Sequence, residues 1–290
     1  MVLLILPILI LLLLHAAGTT SAGPSRSSRW WFNIHSDAFA DQAVALVDAN
    51  RDALTGVYAY FGVSVDGLGE VHFPPEMRAV VSPFLQRNLT VGIALGIDEG
   101  VVQRRSWTDA TVQSLAAQAK AAGLHSLMLD YEPNDNITRA HAVAYADFVQ
   151  AITLAMHAHG LEMGMCVSSW GILDNFMLYA ATGVDSMMTM AATYFGSNVT
   201  ADEWWVSKEM QDGVSQSQLR VGIGTTNAIY EKWNYNWTEA RFAQFFAFLE
   251  KEDVRGIDLW RTDIDSLNAT NGTASWIYDA LSSWLSPELS

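Results

Sequence analysis

Eight apolar runs of strand-like composition recur along this chain, alternating with stretches patterned for helices. The strand candidates are 30–34, 56–61, 89–95, 126–131, 162–167, 186–190, 219–223 and 256–260. Most are nearly continuous in apolar residues, as expected for parallel strands covered on both faces. The clearest helix candidates are 107–122, 138–159 and 238–251. Each opens near a threonine suited to capping, and the first stops at Gly123. Weaker candidates lie at 41–50, 75–86, 201–211 and 275–285. Eight strands alternating with helices are the count and size of a single (β/α)8 TIM barrel, an α/β fold. The competing topology, an open doubly wound sheet, usually carries a glycine-rich phosphate turn after its first strand. None follows residues 30–34.

The start of the chain is not part of that pattern. An apolar run from Val2 to Leu14 is broken only by Pro7, and Thr20-Ser21-Ala22 supplies the small residues that signal peptidase requires. Residues 1–22 therefore read as a signal peptide and 23–290 as the barrel domain. The run is short for an uncleaved bilayer anchor, which needs ~20 residues. Glycosylation acceptors at Asn88, Asn136, Asn198, Asn236, Asn268 and Asn271 agree with a secreted glycoprotein, destined for the extracellular space or a lysosomal or vacuolar lumen. Cys166 is the single cysteine, so no internal disulfide can form, and its apolar neighbours suggest a small buried thiol. The net charge of −15 argues against a nucleic-acid partner, which demands clustered Lys and Arg. No stable membrane insertion is expected of the mature domain.

Barrel chemistry gathers where strands end and βα loops begin. The fourth strand ends in Leu127-Met128-Leu129-Asp130-Tyr131-Glu132-Pro133. Side chains alternate along a strand, so Met128, Asp130 and Glu132 share one face and Leu127, Leu129 and Tyr131 the other. Two carboxylates pressed into the apolar layer between strands and helices would be costly. The acidic face is therefore expected to look into the barrel, near its mouth. Like charges so close keep one proton on the pair above the normal carboxyl range. Glu132 and Asp130 are the candidate catalytic residues on this ground, with Glu99 a spare acid. Zinc-ligand patterns and a Gly-x-Ser-x-Gly elbow are missing. No cofactor or metal is expected, although two such acids also suit a divalent ion.

The stretch 127–132 resembles the strand-four signature of glycoside hydrolase family 18, Asp-Gly-x-Asp-x-Asp-x-Glu. Its last two acids stand here as Asp130 and Glu132, while His125 and Met128 occupy the first two acid positions. Gly256-Ile257-Asp258-Leu259-Trp260 is similar to that family's closing strand with its substrate-stacking tryptophan. Residues 184–190 resemble the approach to its Met-x-Tyr-Asp motif, but Ala192 and Thr193 fill the Tyr and Asp positions and Tyr194 comes two residues late. The resemblance implies a glycan partner containing N-acetylglucosamine. It also implies a proton from Glu132 to the leaving oxygen, and attack by the substrate's own acetamide, oriented by Asp130. Trp260, Asp258, Tyr194, Trp31 and Trp170 are then candidate substrate-binding residues. The departures from the signature leave a second reading open, a glycan-binding barrel without catalysis.

Overall fold

The computed structural model describes residues 25–32, 34, 37–133, 138–168, 171–190, 198–224, 237–262 and 275–286. Eight parallel strands close into a barrel: β1 (Ser27–Phe32), β2 (Gly56–Val65), β4 (Thr90–Ile97), β5 (Ser126–Leu129), β6 (Glu162–Val167), β7 (Ser186–Thr189), β8 (Leu219–Gly224) and β9 (Gly256–Thr262). Each pairs with its neighbour in the order β1-β9-β8-β7-β6-β5-β4-β2, and a β1–β2 pairing completes the ring. The alternation of apolar runs thus corresponds to a closed (β/α)8 barrel. A ninth strand, β3 (Val71–His72), runs antiparallel to the far end of β2, which continues past a register shift at Ala59 to Val63.

The helices are α1 (Asp37–Ala49), α2 (Met77–Leu85), α3 (Glu99–Arg104), α4 (Asp109–Ala121), α5 (Arg139–Ala158), α6 (Phe176–Ala180), α7 (Val199–Gln211), α8 (Glu239–Lys251) and α9 (Ser275–Leu285). Three begin on a threonine whose hydroxyl accepts a backbone N–H of the first turn. Thr108 takes Thr111 at 3.2 Å, Thr138 takes His141 at 3.3 Å and Thr238 takes Arg241 at 3.3 Å. Such caps satisfy donors that the helix itself leaves open. Gly123 and Gly160, at φ 85° and 68°, turn the chain from α4 and α5 back into β5 and β6 in a conformation that glycine tolerates best.

Strand parity divides the core into two layers. Leu127, Leu129, Met163, Met165, Val167 and Met187 are buried towards the helices, the usual apolar layer of a barrel. The lumen is filled from its lower end by charge rather than by aliphatic side chains alone. Arg29 of β1 reaches across to Glu162 of β6 at 2.7 Å and donates to the Tyr58 hydroxyl of β2. Beside it Arg220 of β8 donates to Asp258 at 2.8 Å, to the Ser27 hydroxyl at 2.7 Å and to the Ile257 carbonyl at 3.0 Å. These groups sit at the N-terminal ends of their strands and plug the barrel floor.

Candidate active site

The lumen face of β5 is set by contacts on three neighbours. Ser126 packs over Gly92 of β4, where an added Cβ would lie 2.4 Å from the Ser126 hydroxyl oxygen and 2.4 Å from the Tyr58 ring. Met128 lies over Gly164 of β6, where a Cβ would come within 2.7 Å of its methyl group. Two residues further up, Asp130 carries the same face to the mouth. The other face is equally well defined. The Tyr131 hydroxyl meets His141 Nε2 at 2.8 Å, and its ring lies 4.7 Å from that of Tyr145 on α5. Tyr131 is thus anchored among the helices, and Asp130 is turned inward by the same alternation.

Asp130 is partly buried, and its backbone N–H donates to Leu95 at 3.1 Å. Burial, and after it the neighbouring charge of Glu132, push its carboxyl up to about 7, against the lowering effect of a hydrogen bond donated by the Cys166 thiol. Glu132 follows two residues later and is exposed. A carboxyl that keeps its proton to about pH 7 beside a second, more open carboxyl is an arrangement suited to general acid chemistry.

On β9, four strands round the ring and hence across the mouth from β5, stands Trp260. It is half-buried, and its ring meets Trp31 edge-on at 5.0 Å. Two expectations need correction here. Trp31 is 1% exposed and packs 4.9 Å from Tyr58, so it braces Trp260 from below instead of offering a face to a ligand. Asp258 does turn into the lumen, but it lies in register with Arg29 beneath Trp260, fully buried and committed to Arg220. A buried carboxylate needs such a partner, and that need outweighs any role at the mouth. Glu99 opens α3, where it accepts from Gln103; burial raises the Tyr131 hydroxyl, with the charge of Glu99 adding to it, and burial lowers His141 against that same charge.

Tyr194 and Trp170 lie outside the described residues, as do Asn136, Asn236, Asn268, Asn271 and the whole of 1–22. Asn88 and Asn198 are exposed, and Asn198 caps α7 through its side-chain oxygen. Among the described residues no group of three or more His, Cys, Asp and Glu is arranged to hold a metal ion, and no helix is long and apolar enough to cross a membrane. Sequence reasoning missed the thiol of Cys166 against Asp130 and the ionic floor. A lone arginine inside Leu219-Arg220-Val221 was the available signal for the floor, because a charge in a buried strand demands a partner.

No family model and no curated protein sequence matches the chain. Solved structures do. A chitinase of family 18 from the chitin utilization locus of Flavobacterium johnsoniae superposes with a TM-score of 0.67 at 12% identity, covering 91% of this chain and 95% of that one. A family 18 chitinase from Pseudoalteromonas aurantia gives 0.63 at 14% identity, covering 89% and 99%. The spore cortex-lytic enzyme SleL of Bacillus cereus gives 0.64 at 11% identity, covering 82% and 71%. The chain has the fold of the family 18 glycosidases. The relationship is remote, carried by architecture with little sequence identity.

Proposed function

We propose that this chain is a secreted glycoside hydrolase of N-acetylglucosamine-containing glycans. Glu132 acts as general acid and Asp130 orients the substrate's acetamide. The observation that carries the reading is the placement of both acids at the downstream tip of β5. Asp130 faces the lumen above a closed ionic floor, with Trp260 across the mouth. Resemblance of the strand-four motif and the shared fold support the same assignment.

In the proposed reaction Glu132 gives its proton to the glycosidic oxygen as the bond from that oxygen to the anomeric carbon breaks. The acetamide carbonyl oxygen forms the new bond to the anomeric carbon. Asp130, as carboxylate, accepts the acetamide N–H and offsets the positive charge of the resulting ring. Water then attacks the same carbon and loses a proton to the Glu132 carboxylate, restoring the acid and the acetamide. Burial and the neighbouring charge of Glu132 push the Asp130 carboxyl up to about 7, and the reaction needs Asp130 to enter it as carboxylate, with the proton on Glu132. Trp260 would stack on the apolar face of a sugar ring. Passage through the secretory route follows from residues 1–22 and the six acceptor asparagines.

The test is a product assay on paired chitooligosaccharides, one N-acetylated and one deacetylated. Turnover of the first alone is expected, since the nucleophile belongs to its acetamide. Equal turnover of both would overturn the substrate-assisted route. Met128, at the inner acid position of the family signature, favours the second reading, a glycan-binding barrel. Binding without turnover from acidic to neutral pH would establish it.

A further inference from the structure

We propose that His141 is a positioning residue for the acid pair: its imidazole, hydrogen-bonded to the hydroxyl of Tyr131 between the two acids, ties the tip of β5 to α5 and so holds Glu132 where its proton can reach the glycosidic oxygen. This inference rests on the assignment of Glu132 as general acid.

The strand itself stops short of Glu132. β5 ends at Leu129, and Asp130 closes onto β4 through the 3.1 Å bond from its N–H to the Leu95 carbonyl. Tyr131 comes next, and its side chain turns the opposite way, into the helix layer. There it is buried, with its ring 4.7 Å from Tyr145 and its hydroxyl 2.8 Å from His141 Nε2. Tyr145 packs edge-on 5.4 Å from Tyr179, so rings fill the space behind Tyr131 and the imidazole adds a directed bond. His141 is itself held in place. It is buried in the first turn of the 20-residue helix α5, and its backbone N–H donates to the Thr138 hydroxyl at 3.3 Å. Burial keeps the Tyr131 hydroxyl protonated and favours a neutral imidazole, so the hydroxyl can donate to Nε2. Successive Cα atoms are ~3.8 Å apart, and Tyr131 therefore cannot shift without carrying Asp130 and Glu132 with it. Glu132 is exposed, so burial does little to fix it. A general acid must lie within hydrogen-bond reach of the leaving oxygen, and a misplacement of ~1 Å can cost ~100-fold in rate.

Two arms test this, one of them independent of turnover. His141→Phe keeps an aromatic ring and removes the nitrogen. Its kcat on an N-acetylated chitooligosaccharide should fall roughly ten- to hundredfold, with KM within about threefold of wild type. His141→Gln, whose amide can bond the same hydroxyl, should recover much of kcat. Tyr131→Phe should match His141→Phe, and the double variant should lose no more than either alone, because each removes the same bond. Tyr131→Phe also keeps the test decisive if His141→Phe does not fold. The second arm follows the Asp130 carboxyl by NMR of the isotope-labelled protein. Its midpoint, pushed up to about 7 by burial and the charge of Glu132, should drop in His141→Phe as the tip loosens, and return in His141→Gln. A pair with a structural role alone would cost stability and leave both kcat and the midpoint of the folded protein unchanged, which would overturn the proposal. Additive losses in the double variant would overturn it as well. A wild-type protein without turnover, whose midpoint still drops in His141→Phe, would instead overturn the hydrolase reading and leave the tether standing.

Discussion

Replacing Asp202 and Glu209 by their amides is expected to flatten the dependence of stability on pH. Both side chains point from α7 into the protein and are fully buried. Neither forms an ion pair among the described residues, and burial pushes each carboxyl up to about 8. The charge of Glu203 adds to the effect at Asp202, whereas the Thr189 hydroxyl and Lys208 only partly oppose it at Glu209. Unfolded carboxyls ionise near ~4. Between those limits the folded chain therefore holds protons that the unfolded chain has released. Stability is complete below ~4 and declines as pH rises towards 8, at roughly 1.4 kcal/mol per pH unit for each group. The ceiling is ~5 kcal/mol per carboxyl, which relaxation of α7 would reduce. Domains of this kind have only ~5–15 kcal/mol in total, so the loss should be large. Urea midpoints measured at pH 5, 6, 7 and 8 should fall steeply for the wild type, and far less for Asp202→Asn combined with Glu209→Gln. Parallel curves for the two proteins would refute the argument.

Other outcomes follow from the same geometry. Asp258→Asn leaves Arg220 buried without its counter-charge and should cost ~3–5 kcal/mol, measured by urea denaturation at pH 6. Replacing both partners by apolar residues of similar volume should recover much of that loss. Trp260→Ala should weaken chitooligosaccharide binding about tenfold by calorimetry, since a stacking face is lost. Trp31→Phe should shift binding less, because Trp31 is buried behind Trp260.

The strands were legible because parallel strands buried on both faces leave continuous apolar runs, and all eight runs became strands. Their ends were not. β1 begins at Ser27, ahead of its apolar run, since Arg29 enters the lumen to meet Glu162 and so breaks the apolar pattern. The short helices α3 and α6 span too few residues to show a period. At the site, alternation along β5 was enough to orient Asp130. The pairing of Asp258 was hidden, because Arg220 lies 38 residues away on another strand. The thiol at Asp130 was hidden for the same reason, since only the register of β5 with β6 brings the two together.

Glu132→Gln tests the central claim most directly. The substitution keeps size and hydrogen bonding but removes the proton that the glycosidic oxygen needs. Hydrolysis of an N-acetylated chitooligosaccharide should vanish while its affinity by calorimetry stays within a few-fold of wild type. Undiminished hydrolysis by Glu132→Gln would contradict the account.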